Sequence, residues 1–152
     1  MGKPNAGYRR ATLEDAEAIA GVIAVLLEGP DPVGFARAFS VAEVRTWLSR
    51  QGEGGAVFLC LVDEAVAGFS ALDFNTQEPD MATLGVWVLP KYRGKKLGTA
   101  LAELALDFAR DRGYRRLRGR LLPDSPKALS FLSSIGALVP IYNPEMRFEL
   151  PL

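Results

Sequence analysis

The sequence predicts a mixed α/β fold, an α+β arrangement in which a largely antiparallel central sheet of about seven strands is flanked by about four helices. Three observations predict it. Apolar spacing follows the order strand, two helices, three strands, helix, strand, helix, two strands, with at least one crossover. Thr12 with Asp15, and Ser40 with Glu43, have the spacing of capping boxes and mark two helix starts. The runs "AVFLCLV" and "VAGFSALDF", joined by "DEA", read as a hairpin, which breaks the regular alternation of a doubly wound fold. The 152 residues suit one domain, 1–152, large enough to bury a core without disulfides.

Each element has its own signal. "YRRA" is a short first strand. In the first helix Ile19, Val22, Ile23, Leu26 and Leu27 recur at helical spacing and form one buried stripe. "EGPDPVG" ends it, since prolines and glycines cannot continue a helix. The second helix puts Val41, Val44 and Leu48 on one face, with Trp47 at its border as a core or rim residue, or alternatively as a pocket lining. "QGEGG" is a loop before the hairpin. "MATLGVWVL" is continuously apolar, which predicts a strand buried on both faces. Leu97, Leu101, Leu104 and Phe108 mark a third helix that ends near Gly113. "RRLRGRLL" is a strand. Ser125 and Pro126 fit the N-cap and first position of a fourth helix closed by Gly136, and "ALVPIYN" and "MRFEL" are the final strands.

Composition narrows the chemistry. There is no histidine, which removes Ser-His-Asp and Cys-His catalysis, imidazole metal sites and the usual neutral-pH proton shuttle. Acid–base work falls to carboxylates, Tyr, Lys, backbone or water. Cys60 is the single cysteine and lies in an apolar run, which reads as a small core residue in a reducing compartment. No metal is expected. The segment "MGKPNAGYRR" lacks a signal-peptide core, and the apolar runs are too short for a membrane span, so a cytoplasmic protein without membrane attachment is expected.

A net charge of zero hides an asymmetry. Residues 91–120 carry +7 and the rest of the chain −7. Four of those cations, Lys91, Arg93, Lys95 and Lys96, crowd the joint "VWVLPKYRGKKLGTAL" between a strand and a helix. The first turn of a helix leaves amides unpaired and carries about half a positive charge, which makes an anion site. Gly94 and Gly98 allow close approach to a phosphate. The joint lacks the spacing of a P-loop, and no G-x-G-x-x-G follows a strand. Nucleic acid is not an expected partner, because the arginines of "DRGYRRLRGR" alternate along one strand without an aromatic platform.

The stretch "VWVLPKYRGKKLGTALAELALDFARDRG" resembles the central motif of the GNAT superfamily, the acetyl-CoA-dependent N-acyltransferases: a strand, V-x-P-x-x-[QR]-x-x-G-x-[GA], and a long helix. "YRRATLEDAEAI" is similar to the family's opening strand and helix, and "SPKALSFLSSIGA" to its later helix, so the resemblance covers nearly the whole chain. It implies an N-acetyltransferase moving an acetyl group from acetyl-CoA (coenzyme A, as co-substrate) to a small-molecule or protein amine. It implies that the main chain of Val86, Trp87 and Val88 pairs with the pantetheine arm. The amides of Gly94, Lys95, Lys96, Leu97, Gly98 and Thr99 would hold the diphosphate, with Arg93 and the lysines reaching phosphates and Ser125 touching the coenzyme. A backbone amide near Val88 would stabilise the developing oxyanion. Lys96 replaces the family's middle glycine; a lysine there still offers its amide if its φ is negative, and coenzyme binding is expected to survive the change.

The family's acid and base positions are empty. The tyrosine position is Leu132, and two glutamate positions are Ala82 and Arg120. Substitutes are Asp73, Glu78 and Asp80 as base, Tyr142 as acid, or a water relay. A coenzyme A-binding sensor without turnover is the alternative reading. The acidic remainder of the chain favours a cationic acceptor, and a homodimer is compatible with the sequence.

Overall fold

Six strands lie in one sheet in chain order in the computed structural model, which describes residues 6–29, 37–52, 54–120 and 147–152. They are β1 (Ala6–Arg10), β2 (Ala56–Val62), β3 (Ala65–Phe74), β4 (Met81–Val88), β5 (Arg116–Arg120) and β6 (Arg147–Pro151). All neighbours are antiparallel except β4 and β5, which run parallel and need the crossover supplied by α3 (Leu97–Asp111). The mixed α/β class follows the sequence expectation. The expected fourth helix and the strand "ALVPIYN" fall within 121–146, outside the described residues.

Both capping boxes form. Thr12 and Asp15 open a short 3-10 turn that runs into α1 (Ala16–Glu28), and Ser40 and Glu43 open α2 (Val41–Arg50). The hairpin turn sits at Asp63 and Glu64, both with positive φ (49° and 72°), the twist a two-residue turn needs to return the strand.

Alternation along the strands divides the core into two layers. Val57, Leu59, Phe69 and Ala71 face α1, where Ile19, Val22, Ile23 and Leu26 cover them, and Leu27 is partly buried beside them. Leu72, Ala82, Leu84 and Leu117 face α3 against Ala105, Leu106 and Ala109. Cys60 and Val62 meet Leu97 and Leu101 on the same side. Each such large side chain contributes about 1.5–3 kcal/mol through burial. The buried Ser70 hydroxyl donates to the Leu101 carbonyl at 2.9 Å and pins α3 to the middle of the sheet.

Two sequence expectations change. Val41 is exposed, and Val44 alone is fully buried on the expected face of α2. In β4 the first half is buried apart from Thr83, while Gly85 to Val88 are half-buried. The reason lies in the pairing of β4 and marks the site.

Candidate active site

Strand β5 follows β4 only from Met81↔Arg116 to Thr83↔Arg118. Beyond Thr83 the two strands part, and that side of β4 has no paired strand among the described residues. The other side stays paired with β3 as far as Gly68↔Val88. The Leu89 amide donates to the Ala67 carbonyl at 2.9 Å, which sets the phase of the ladder. Gly85, Trp87 and Leu89 therefore turn their main chain into β3, while Leu84, Val86 and Val88 turn theirs toward the parting. Of the three consecutive residues expected to offer backbone to a ligand, the register thus gives the open side to Val86 and Val88. Trp87 is corrected: its peptide groups belong to the pair with Phe69.

The chain leaves β4 through a 3-10 turn at Pro90–Tyr92, where the Tyr92 and Arg93 amides are used by the Leu89 and Pro90 carbonyls. Gly94 then takes φ 81° and Lys96 φ 63°. The first helical bond of α3 runs from the Ala100 amide to the Lys96 carbonyl at 3.2 Å. The amides of Leu97, Gly98 and Thr99 precede it and point along the helix axis toward the loop. The first turn of α3 has no acidic residue to offset its dipole, and Lys91, Arg93, Lys95 and Lys96 are all exposed around it. Gly98 faces the second half of β4: a Cβ there would stand 3.6 Å from Val88 Cγ2 and 3.7 Å from Val86 Cγ1. The Arg93 Nε donates to the Val88 carbonyl at 3.0 Å, so this arginine holds the loop against the strand. The condition of a negative φ at Lys96 is not met. The lysine adopts the left-handed backbone that a glycine takes freely, at a cost of about 1 kcal/mol.

The acidic candidates separate sharply. Glu78 pairs with Arg118 at 3.3 Å, and Asp80 with Arg116 at 3.6 Å. Asp73 instead accepts hydrogen bonds at one oxygen, Oδ1, from Trp47 Nε1 at 3.1 Å and Gln51 Nε2 at 2.6 Å. Tyr142 and Ser125 lie outside the described residues. Cys60 is buried, and burial pushes its thiol up from the ordinary range, which fits a core residue.

Residues 39–136 match the acetyltransferase (GNAT) family. The chain belongs to that family. An uncharacterized N-acetyltransferase of Methanocaldococcus jannaschii is 30% identical over 95 residues, which is 59% of this chain and 42% of that protein. The match therefore spans about two-fifths of the relative's length. A GNAT-family acetyltransferase from Streptococcus pneumoniae superposes with a TM-score of 0.84 at 17% identity, covering 97% of this chain and 100% of that one. A ribosomal-protein-alanine N-acetyltransferase from Brucella melitensis gives 0.83 at 16% identity, covering 96% and 99%. A phosphinothricin acetyltransferase from Sinorhizobium meliloti, solved in complex with acetyl-CoA, gives 0.83 at 19% identity, covering 97% and 88%. These likenesses establish the GNAT fold.

Within this GNAT chain the family's catalytic positions hold other residues. Ala82 is fully buried and packs in the α3 layer with Leu117. Arg120 pairs in register with Arg147, and Leu132 lies outside the described residues. Sequence reasoning missed Gln51 and left Trp47 between a core or rim role and a pocket lining. Their i,i+4 spacing, from the last turn of α2 to its C-cap, was the available signal, since it puts two N–H donors on one side of the helix end. A cavity of about 390 Å³ lined by Arg50, Phe74 and Tyr114 lies at the other end of the sheet from the cationic loop.

Proposed function

We propose that this chain transfers an acetyl group from acetyl-CoA directly to an amine in the cytoplasm. The observation that carries the reading is the parting of β4 from β5 after Thr83, beside a first turn of α3 that has no side-chain cap among the described residues. The residues fit the coenzyme. Val86, with both its main-chain groups, and Val88, with the amide that Arg93 leaves to it, stand at the spacing of a strand edge, which suits the amides of a pantetheine arm. Leu97, Gly98 and Thr99 amides suit the diphosphate, with Gly94 and Gly98 leaving room for it. Lys91, Lys95 and Lys96 supply charge for the phosphates, and Arg93 ties the two halves together.

The coenzyme supplies the activated acyl group as a thioester. This chain's part is placement and charge. Val86 is farther from the cationic loop than Val88, so its outward amide is the better placed to donate to the acyl oxygen as negative charge develops there. The attacking amine must be neutral, and a proton has to leave it. Glu78 and Asp80 are engaged by arginines, so water held by main-chain carbonyls of the open edge accepts that proton. Tyr142 protonates the departing thiolate, and Ser125 contributes a polar contact to the coenzyme.

The acceptor class does not follow from the fold. The Brucella protein is named for a protein acceptor and the Sinorhizobium protein for a small molecule, at equal TM-score. The second reading, a coenzyme A sensor, draws on the pairing of Glu78 and Asp80 and the buried methyl at Ala82. Calorimetry with acetyl-CoA, followed by thiol release against a panel of amines and peptides, separates the readings. Release above background that disappears in Gly98→Leu supports the enzyme. Binding without release supports the sensor, and no binding removes both.

A further inference from the structure

We infer that Asp73 is an acceptor-anchoring carboxylate, and that the acceptor is a diamine whose second, cationic nitrogen it holds. Trp47 Nε1 and Gln51 Nε2 both donate to Oδ1, at 3.1 and 2.6 Å, and fix the carboxylate with neutral groups. Among the described residues Asp73 has no ion pair, and Oδ2 has no hydrogen-bond partner. The other candidate acids contrast with it: Glu78 and Asp80 each face an arginine. A half-buried carboxylate oriented by neutral donors gains most from an arriving cation.

The surroundings suit an ammonium on a hydrocarbon chain. Asp73 pairs with Thr83, so both side chains lie on the α2 face of the sheet, and Thr83 is exposed beside it. Trp47 stands edge-on to the fully buried Phe69 at 6.4 Å, and Phe69 lies 4.8 Å from Trp87, so Phe69 braces from below two indoles that are themselves half-buried. Aromatic rings and a carboxylate together favour an organic cation.

Position decides between base and anchor. Val86 stands three residues beyond Thr83, about 10 Å at strand spacing. A general base works within hydrogen-bond reach or through one water. Asp73 is too far from the acyl end for that. A cation held at Asp73 leaves the rest of a short alkyl chain to carry a second, neutral nitrogen toward Val86.

The choice of ligand rests on the acetyltransferase reading; the binding test does not need turnover. Putrescine and butylamine are titrated calorimetrically into the full chain, with and without saturating coenzyme A. Putrescine is expected to bind at least tenfold more tightly than butylamine, and Asp73→Asn to bring the two within about twofold. Asparagine keeps an Oδ1 acceptor for Trp47 and Gln51, and near-UV circular dichroism checks that the fold survives. Trp47→Phe, which keeps the charge and removes one donor, is expected to weaken putrescine several-fold. Equal affinities in the wild type, or undiminished putrescine binding in Asp73→Asn, overturns the anchor. Asp73-dependent binding without acetyl transfer leaves the anchor standing and sinks the enzyme reading. Equal acetylation of both amines does the reverse.

Discussion

The guanidinium Nε of Arg93 donates to the carbonyl of Val88 across 3.0 Å, joining the cationic loop to the last residue of the strand it leaves. The bond fixes the distance between two halves of the proposed coenzyme site, the open edge of β4 and the amides of α3. Replacing Arg93 by Lys keeps a charge and loses the planar fork that serves a carbonyl and an anion together. Arg93→Lys is therefore expected to weaken acetyl-CoA about tenfold, close to the effect of Arg93→Ala, in calorimetric titration. Full rescue by lysine would show that charge alone matters here.

Lys96 carries φ 63° where a glycine would meet no penalty. Lys96→Gly removes about 1 kcal/mol of backbone strain, which for a chain of this size is a rise in Tm of about 2–4 °C. The same change removes one exposed cation from the loop, so acetyl-CoA affinity should fall only a few-fold and more at low salt than at high. Melting curves and titrations at two ionic strengths check both halves. An unchanged or lowered Tm would mean that the lysine side chain returns as much as its backbone costs.

Local features of this fold were legible because they are written in short range. The pairs Thr12/Asp15 and Ser40/Glu43 are three residues apart and each opens a helical segment. The "DEA" turn and the glycines of the α3 joint are equally local. What the sequence hid depends on partners far along the chain. The half-burial of Gly85 to Val88 follows from where β5 departs, which no spacing within β4 reveals. Arg116 and Arg118 of β5 are matched with Asp80 and Glu78 in the loop that leads into β4. Within α3, by contrast, Asp107 meets Arg110 at 3.6 Å, three residues away. Asp73 becomes distinctive only once α2 brings Trp47 and Gln51 to it.

Two glycines in the paired strands test how closely β3 and β4 approach the Trp87 residue. A Cβ at Gly68 would overlap the Trp87 carbonyl oxygen and crowd the Val88 Cα at 3.0 Å, both of them backbone. A Cβ at Gly85 would overlap the Trp87 indole, which can swing aside. Gly68→Ala is expected to cost about 3 kcal/mol, and Gly85→Ala about 1–2 kcal/mol with a shift in tryptophan emission. Denaturant unfolding gives the energies. A larger loss at Gly85 would mean that the indole is locked against Phe69.

Gly98 separates binding from folding. It lies in the first turn of α3, and a Cβ there would make ordinary contact with Val86 and Val88. Gly98→Ala should keep or raise Tm, since alanine is favoured over glycine in a helix by about 1 kcal/mol. The added methyl points at the proposed path of the coenzyme, so acetyl-CoA affinity should fall about tenfold. Loss of stability together with affinity would place Gly98 in the packing instead.

The acid limb of stability should depend on Asp15. Its carboxylate accepts two hydrogen bonds from Arg9, at 2.8 and 2.7 Å, and one from the Thr12 amide at 2.7 Å, in a buried position. The Arg9 hydrogen bonds come first among the causes that lower its pKa from 3.8 to about 2. A folded pKa below the unfolded one means that the stabilisation is complete above the unfolded value and fades as pH falls toward the folded one. The stake is about 2 kcal/mol, lost between about pH 4 and pH 2. Asp15→Asn should therefore lower stability at neutral pH by a similar amount and flatten the curve in that window. Glu43 is held at about 2 as well, by Arg37 and the Ser40 amide, but that pair stands in solvent. Glu43→Gln should leave the acid limb nearly unchanged, because an exposed pair is screened. Urea unfolding of both variants from about pH 6 down to about pH 2 tells them apart, and equal slopes would remove Asp15 from this role.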